Sequence, residues 1–307
     1  MTSFLAKPKR SPLFYVGDKY KLMPQLNRLF PRDINRFIDP FVGGGSVFLN
    51  TNAKSYLVND IDENIINLHK MLSNYDFNAL ISEISNLIYS YGLSFSLNGI
   101  TAPNELKKQF VKTYYAKFNK SAYEKLRADY NIDKDDFLRL YVLLIYGFNR
   151  ILRFNSKGDF NLPVGNVDFN QNVYEALLRY TEFTSQNSVK FHNLDYIDFL
   201  DGIKFKNSDY IYFDPPYLIS NSEYNKLWSE SNERKLYEKL DLLNMQGVKF
   251  GITNLIHHKG KTNTILQIWA KKYQIYNISS NYISFNDNTI KADSKEIFVT
   301  NLKANNA

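Results

Sequence analysis

Two short segments carry residue types that could do chemistry together. The first is Asp214-Pro215-Pro216-Tyr217, directly after the apolar run Tyr210–Phe213. Consecutive prolines end a strand, because neither offers an N–H to the ladder, and they leave a stiff platform. Asp214 and the carbonyl of Pro215 can then accept hydrogen bonds from one small group, with the flat face of Tyr217 beside it. An exocyclic amine on a base suits such a site. Its nitrogen lone pair is delocalised into the ring, and two acceptors on its hydrogens favour pyramidalisation. The lone pair is then aimed at an electrophile. An aligned acceptor contributes roughly 10²–10⁴ in rate, and alignment of an in-line attack contributes separately. Taken alone, the tetrapeptide is also an ordinary turn after a strand.

The second segment is Asp39-Pro40-Phe41-Val42-Gly43-Gly44-Gly45-Ser46, which leaves a predicted strand. Glycines let the chain turn sharply and let a ligand approach the backbone. Asp60 ends the next predicted strand, where a carboxylate can hold a ribose diol. Position 48 is Phe, so the pattern is not the dinucleotide fingerprint, and no Lys-Ser/Thr pair follows to make a phosphate loop. A nucleoside ligand without a pyrophosphate, such as S-adenosylmethionine, fits. A plain tight turn fits the loop equally when it is read alone.

The elements that must position these segments read as an α/β protein. Residues 36–60 form a βαβ pattern: strand Arg36–Asp39, a helix start at Ser46–Asn50, and strand Tyr56–Asn59, with Glu63–Leu72 helical after it. Helices are predicted at Phe77–Tyr91, Glu105–Phe118, Tyr123–Tyr130, Asp136–Tyr146 and Val173–Gln186. Leu138, Tyr141, Val142, Ile145 and Tyr146 give the fourth an apolar face. Residues 148–168 read as loop. The α/β alternation resumes with strands Val189–His192, Tyr210–Phe213, Lys249–Thr253, Gln274–Ile278 and Ile297–Asn301, and helices Glu233–Gln246 and Thr262–Lys272. The expectation is a core from residues 1–74 and 186–307, split by a mostly helical insertion at 75–185.

Composition bounds the rest. The 307 residues carry a net charge of +7, which favours a polyanionic partner. With no cysteine there is no disulfide framework and no thiolate metal site. The four histidines, His69, His192, His257 and His258, show no metal-binding spacing. The opening MTSFLAKPKRSP lacks a signal-peptide apolar run, and no stretch reaches a membrane span. A cytoplasmic location, no membrane association and no metal are expected.

As a set, the segments resemble the Dam family (D12 class) of DNA adenine-N6 methyltransferases. Phe14-Tyr15-Val16-Gly17-Asp18-Lys19, Asp39–Ser46, Tyr146–Gly165 (YGFNRILRFNSKGDFNLPVG), Asp214–Tyr217 and Lys295–Asn301 carry the likeness, in family order, across about residues 12–302. The resemblance implies a Rossmann-like, S-adenosyl-L-methionine-dependent core with an inserted, mostly helical target-recognition lobe. It implies N6 methylation of a flipped adenine in a short duplex DNA sequence. Asp214, Pro215, Pro216 and Tyr217 match the catalytic turn, with Tyr217 stacking on the flipped base. Tyr15 matches the aromatic at the sulfonium, Lys19 the lysine on the cofactor's carboxylate, and Phe41, Gly43 and Gly45 the Phe-x-Gly-x-Gly loop after Asp39. Asp60 matches the ribose ligand. Asp195 matches an acidic residue at the cofactor's adenine, with Asp198 and Asp201 as near alternatives. A lysine at position 19 could equally be solvated.

In the insertion, Phe148, Asn149 and Arg153 match DNA-contacting positions. Phe148 could wedge into the gap left by the flipped base, and Arg153 could take a guanine edge. Asn155 and Lys157 would lie near the backbone, and an ordinary surface hairpin is the alternative. Departures exist. The family often has Trp where Tyr15 stands and Gly-Gly where Gly17-Asp18 stands. Leu218–Trp228 and Asn254–Asn263 differ from the prototype, so a different recognition sequence is expected. A restriction endonuclease acting on the same site is a further expected counterpart. His257, His258, Lys259 and Lys261 form a basic cluster that either touches phosphate or is simply solvated. Cytosine-N4 methylation and a catalytically inactive DNA-binding relative are the competing functions.

Overall fold

The computed structural model describes residues 7–220, 228–279 and 293–303. After a short helix α1 (Met23–Leu26), strand β1 (Arg36–Asp39) leads through the glycine loop to β2 (Ser55–Asn59). Five helices follow: α2 (Glu63–Asn74), α3 (Phe77–Tyr91), α4 (Asn104–Gln109), α5 (Tyr114–Ile132) and α6 (Phe137–Tyr146). A hairpin-like loop then leads to α7 (Gln171–Gln186), β3 (Ser188–His192), α8 (Tyr196–Asp201) and β4 (Asp209–Phe213). The chain closes with α9 (Glu230–Met245), β5 (Lys249–His258), β6 (Lys261–Thr262), α10 (Thr264–Trp269), β7 (Gln274–Ile278) and β8 (Ser294–Thr300).

The strands order as β3-β2-β1-β4-β5-β8-β7, with β6 pairing the end of β5. The first five in that order run parallel, and β8 is antiparallel to both β5 and β7. This is a mixed α/β fold of the Rossmann-like kind. From β1 the chain moves to β2 on one side, while β4 flanks β1 on the other. The carboxyl ends of β1 and β4 therefore border a topological switch point, where open α/β sheets bind ligands.

Why β4 sits centrally is plain from its sequence. All five residues of Asp209–Phe213 are buried, as a parallel strand covered on both faces requires. Side chains alternate between two apolar clusters. Phe37, Tyr56, Tyr210 and Tyr212 face the cluster that includes residues of α2, α3, α5, α6 and α7. Ile38, Ile211 and Phe213 face the one built with α8, α9 and α10. The first cluster is continuous from the sheet into the helical stretch, and α6 is buried from Leu140 through Tyr146. At the opposite end of β4, buried Asp209 is ion-paired with Arg36.

Helix boundaries follow local capping where the cap is local. Asp62, Asp76, Asp136 and Asn170 cap α2, α3, α6 and α7 through their side chains. The predicted helix Glu105–Phe118 instead breaks into α4 and α5, and α5 absorbs the predicted Tyr123–Tyr130. The new N-terminus is satisfied from afar: Asn166 Oδ1 accepts from the Tyr115 and Ala116 amides at 2.8 and 3.4 Å. The helix predicted to start at Ser46 is a single 3₁₀ turn, Phe48–Asn50. Asn50 donates to the Lys9 and Ser46 carbonyls, both at 2.7 Å, and Thr51 leaves in extended conformation. Short α1, α8 and β6 were not predicted, and β5 runs five residues past its predicted end at Thr253, with a register shift between Leu255 and His257.

Candidate active site

The two chemically loaded segments meet. Register pairs Ile38 with Ile211, so the residues that leave β1 and β4 emerge side by side. From the glycine-loop side comes Lys19, buried at 6% exposure. Its ammonium lies 2.7 Å from Asp214 Oδ2 and 5.1 Å from the centre of the Tyr217 ring. The Lys19 amide donates to Ser46 Oγ at 3.0 Å, and its ammonium also donates to the Gly17 carbonyl at 3.1 Å. Burial would lower the pKa of this lysine, but the charges of Asp214 and Glu296 outweigh it and hold the value above the ordinary one.

Both Asp214 oxygens are engaged. Oδ1 accepts from the Tyr217 hydroxyl at 2.9 Å and from Thr253 Oγ1 at 3.2 Å. Thr253 is placed by β5, whose Ile252 pairs with Phe213, and its hydroxyl is 2.7 Å from that of Tyr212. The Tyr217 hydroxyl also lies 2.8 Å from Glu296 Oε1 on β8, a residue 1% exposed. Thr253 and Glu296 escape sequence reading. The Lys295–Asn301 stretch is a recognisable part of the family pattern, but nothing local marks Glu296 as reaching a turn 79 residues away.

On the cofactor side, Asp60 braces the loop. Its Oδ2 accepts from the Gly43 amide at 2.9 Å and its Oδ1 from the Asp62 amide at 3.0 Å. Burial raises its pKa to about 6, against the pull of those amides. Asp39 Oδ1 accepts from the Phe41 amide at 3.2 Å, and burial holds its carboxyl well above the usual range. Tyr15 lies across the glycines. A Cβ on Gly44 would fall 2.5 Å from the Tyr15 Cβ, and one on Gly43 3.3 Å from its ring; Gly43 and Gly45 also have positive φ, 45° and 80°. Beneath the loop, buried His69 contacts the Gly43 carbonyl at 2.9 Å and the Tyr180 hydroxyl at 2.8 Å. Burial lowers its pKa to about 4, so it is a neutral strut between the loop and α7. Phe41 packs on Tyr196 and, edge-on, on Trp228. Asp195 stands at the start of α8 and accepts from the Ile197 amide at 2.8 Å. Asp198 and Asp201 lie farther along that helix.

The predicted DNA-facing residues stand on the loop between α6 and α7. Phe148 is 53% exposed, and Asn149 beside it has φ 54°. Arg153 folds back on its own hairpin, donating to Asn161 Oδ1 at 2.8 Å and to the Asn161 carbonyl at 2.7 Å. Asn155 closes the hairpin's turn by accepting from the Lys157 and Asp159 amides, both at 2.9 Å. Exposed Lys157 follows at the tip. In the histidine cluster, His257 bonds Thr262 and Asp293, and His258 bonds Ser294. Of the Leu218–Trp228 segment, residues 221–227 lie outside the described residues. Among the described residues no group of acidic and histidine side chains could hold a metal, and no helix is long and apolar enough to cross a membrane.

A glycine cradle and an Asp-Pro-Pro-Tyr turn at one switch point call for comparison with known methylases. The family model for D12 class N6 adenine-specific DNA methyltransferases matches residues 15–283. The chain belongs to this family. The adenine specificity in that description favours the adenine expectation over cytosine-N4. Among curated relatives of this D12 chain, the Type II methyltransferase M.FokI of Planomicrobium okeanokoites is 32% identical over 300 residues. Modification methylase StsI of Streptococcus sanguinis is 32% identical over 312 residues. Each alignment covers 95% of this chain and 43% of the relative, so the chain spans less than half the length of either. A DNA adenine methylase of Haemophilus influenzae is 32% identical over 189 residues, 60% of this chain and 57% of that protein.

Proposed function

We propose that the chain transfers a methyl group from S-adenosyl-L-methionine to the N6 amine of an adenine turned out of a short recognition sequence in duplex DNA. The single observation that carries this reading is the contact between Lys19 and Asp214, which joins the cofactor-side segment to the Asp-Pro-Pro-Tyr turn.

The residues present fit a nucleoside cofactor without pyrophosphate. Each Asp60 oxygen already accepts one amide and keeps a lone pair for a ribose hydroxyl. Substituting Gly44 would drive a Cβ into Tyr15, so the cradle tolerates no side chain there. Tyr15 would then flank the sulfonium, Lys19 the carboxylate, and Phe41 and Asp195 the adenine. When bound, the cofactor supplies an electrophilic methyl on a sulfonium. The chain's own task is to aim the amine.

In the structure Asp214 Oδ1 already accepts two hydrogen bonds, so an amine that bonds this oxygen must displace one of them. The Tyr217 hydroxyl can leave because Glu296 already stands at hydrogen-bond distance. Asp214 Oδ1 and the Pro215 carbonyl then accept the two amine hydrogens, Pro216 stiffens the turn, and the Tyr217 ring stacks on the base. Asp214 Oδ1 is also placed to take the proton the amine sheds once its nitrogen–carbon bond forms.

Residues 1–74 and 186–307 serve as the catalytic core and 75–185 as the target-recognition lobe, with Phe148, Asn149, Arg153, Asn155 and Lys157 toward DNA. The work would take place in the cytoplasm. The Type II methyltransferase and modification methylase names of the relatives support pairing with a restriction endonuclease of the same site, without a stable complex. The test is to incubate the chain with mixed-sequence duplex and isotopically methyl-labelled S-adenosyl-L-methionine, then separate the nucleosides. Label in N6-methyl-2′-deoxyadenosine is expected. Label in N4-methyl-2′-deoxycytidine alone, or none despite cofactor binding, would overturn the reading.

A further inference from the structure

Backbone strain is concentrated beside the active site. Phe14 (φ 49°), Asn149 (φ 54°) and Arg150 (φ 53°) all hold left-handed backbones without being glycine. Such backbones are costly away from glycine, and they gather where function over-determines them. Phe14 and Arg150 meet, with Asn149 next in the chain. The Arg150 guanidinium lies 3.9 Å from the centre of the Phe14 ring, and that of Arg10 lies 4.6 Å from the same centre. One aromatic ring thus gathers two cations.

Among the described residues neither arginine side chain forms an ion pair or hydrogen bond, and the buried Nε of Arg150 has no acceptor. Two carboxylates act on the pair from beyond ion-pair distance, Asp168 on Arg150 and Asp18 on Arg10. Asp168 accepts from the Ser96 amide and hydroxyl at 2.8 and 2.9 Å. Asp18, near Arg10, is buried, and that burial lifts its carboxyl to about 6. Burial lowers Arg150 to about 10, with the charge of Arg10 adding to the effect. Arg150, half-buried with its Nε lacking an acceptor, is costly in the isolated protein, and an arriving anion removes that cost. A guanidinium stacked on a ring keeps its in-plane N–H groups free for the fork geometry that phosphate oxygens match.

We propose that Arg10 and Arg150, held on Phe14, clamp one backbone phosphate of the DNA strand that enters the active site. The location suits this. Phe14 precedes Tyr15, which covers the glycine loop, and Arg150 opens the hairpin that presents Phe148 and Arg153. The clamp joins the catalytic edge to the recognition hairpin at the point the target strand must pass. By contrast, Arg153 already spends its fork on Asn161. This inference rests on the reading that the chain acts on duplex DNA.

The experiment measures binding of fluorescein-labelled 30-base-pair duplexes of several sequences across a salt series, for the full chain and for Arg10→Gln, Arg150→Gln and the double variant. Each neutralised phosphate contributes about 0.9 to the slope of log K against log salt. The double variant is expected to lower the slope by about 0.9, equally on every duplex, and each single variant by part of that, since the remaining arginine still contacts the shared phosphate; S-adenosyl-L-methionine binding should stay unchanged. Slopes unchanged from the parent would overturn the clamp while leaving the DNA reading intact. Loss confined to particular sequences would overturn it in favour of a base contact. A parent chain that binds no duplex would instead overturn the DNA reading, and the clamp with it. Arg10 is exposed, so its variant keeps the test decisive even if Arg150→Gln fails to fold.

Discussion

Both carboxylate oxygens of Asp214 are engaged at the buried edge of the sheet, whereas the hairpin between α6 and α7 spends several polar groups on itself, others on α5, and turns Phe148 to solvent. The first region is assembled from four separate stretches of chain, which supply Lys19, Asp214 with Tyr217, Thr253 and Glu296. The second is tied mainly by near neighbours, Arg153 with Asn161 and Asn155 with Lys157 and Asp159, and braced on α5 by Asn131 and Arg127. A region built from distant parts fixes geometry before substrate arrives, which is what orienting an amine demands. A region closed on itself can exchange internal bonds for external ones when DNA arrives. The contrast predicts that substitutions at the edge change turnover, while those in the hairpin change which DNA is chosen or how well it is held.

The sharpest break of this comparison is Asp214→Ala. Turnover should fall by roughly 10²–10⁴-fold, with cofactor affinity largely kept, read by single-turnover assay beside calorimetry. Turnover near the parent's would contradict the orienting role. Next in size, Glu296→Gln should lower kcat about tenfold, the size of one weakened hydrogen bond to a charged group. The effect should shrink in a Tyr217→Phe background, where no hydroxyl needs a second acceptor. If the two changes multiply instead, Glu296 acts by another route. On the hairpin, Arg153→Ala should relax discrimination at one base pair by about 1–3 kcal/mol, measured as kcat/KM on single-substituted duplexes. Equal loss on all of them would make Arg153 a backbone contact.

The cofactor side offers a pH test of the same pre-built edge. Burial raises the Asp60 carboxyl to about 6, and only its ionised form accepts two hydroxyls well. Cofactor affinity should therefore rise as pH increases through about 6, and Asp60→Asn should flatten that rise. The sign for stability is opposite. A carboxyl raised in the folded state keeps the folded protein more protonated, so this group's contribution declines as pH climbs from about 4 to about 6. A midpoint of binding unmoved by Asp60→Asn would assign the titration to another group.

How much of this was legible depends on how local the cause is. The strand Tyr210–Phe213 and the prolines after it are local features, and they appear where the sequence puts them. Lys19 was visible as a candidate, but its partner in the structure is Asp214, 195 residues on, and no spacing rule joins them. Thr253 looks like any strand residue until parallel pairing sets it beside the turn. His69 looks like a helix residue among apolar neighbours, and its role under Gly43 requires the fold. The division of the predicted Glu105–Phe118 helix was hidden for the same reason, since Asn166 caps α5 from another part of the chain.

The smallest expected effect probes the self-contained side of the comparison. Asn155 Oδ1 accepts two amides within its own turn, and Lys134 pairs with Asp159 across the tip at 2.8 Å. Asn155→Ala removes these two bonds and the donation from Asn155 Nδ2 to Asp159 Oδ2, and leaves the exposed ion pair, which is worth little by itself. A loss of about 1 kcal/mol follows from one turn of this kind, read as a slightly lowered Tm with kcat unchanged. If the hairpin only frames the DNA-facing side chains, affinity for duplex should weaken a few-fold without altered sequence preference. If preference shifts instead, Asn155 contacts DNA itself, and the hairpin's closure on itself is not the state that binds.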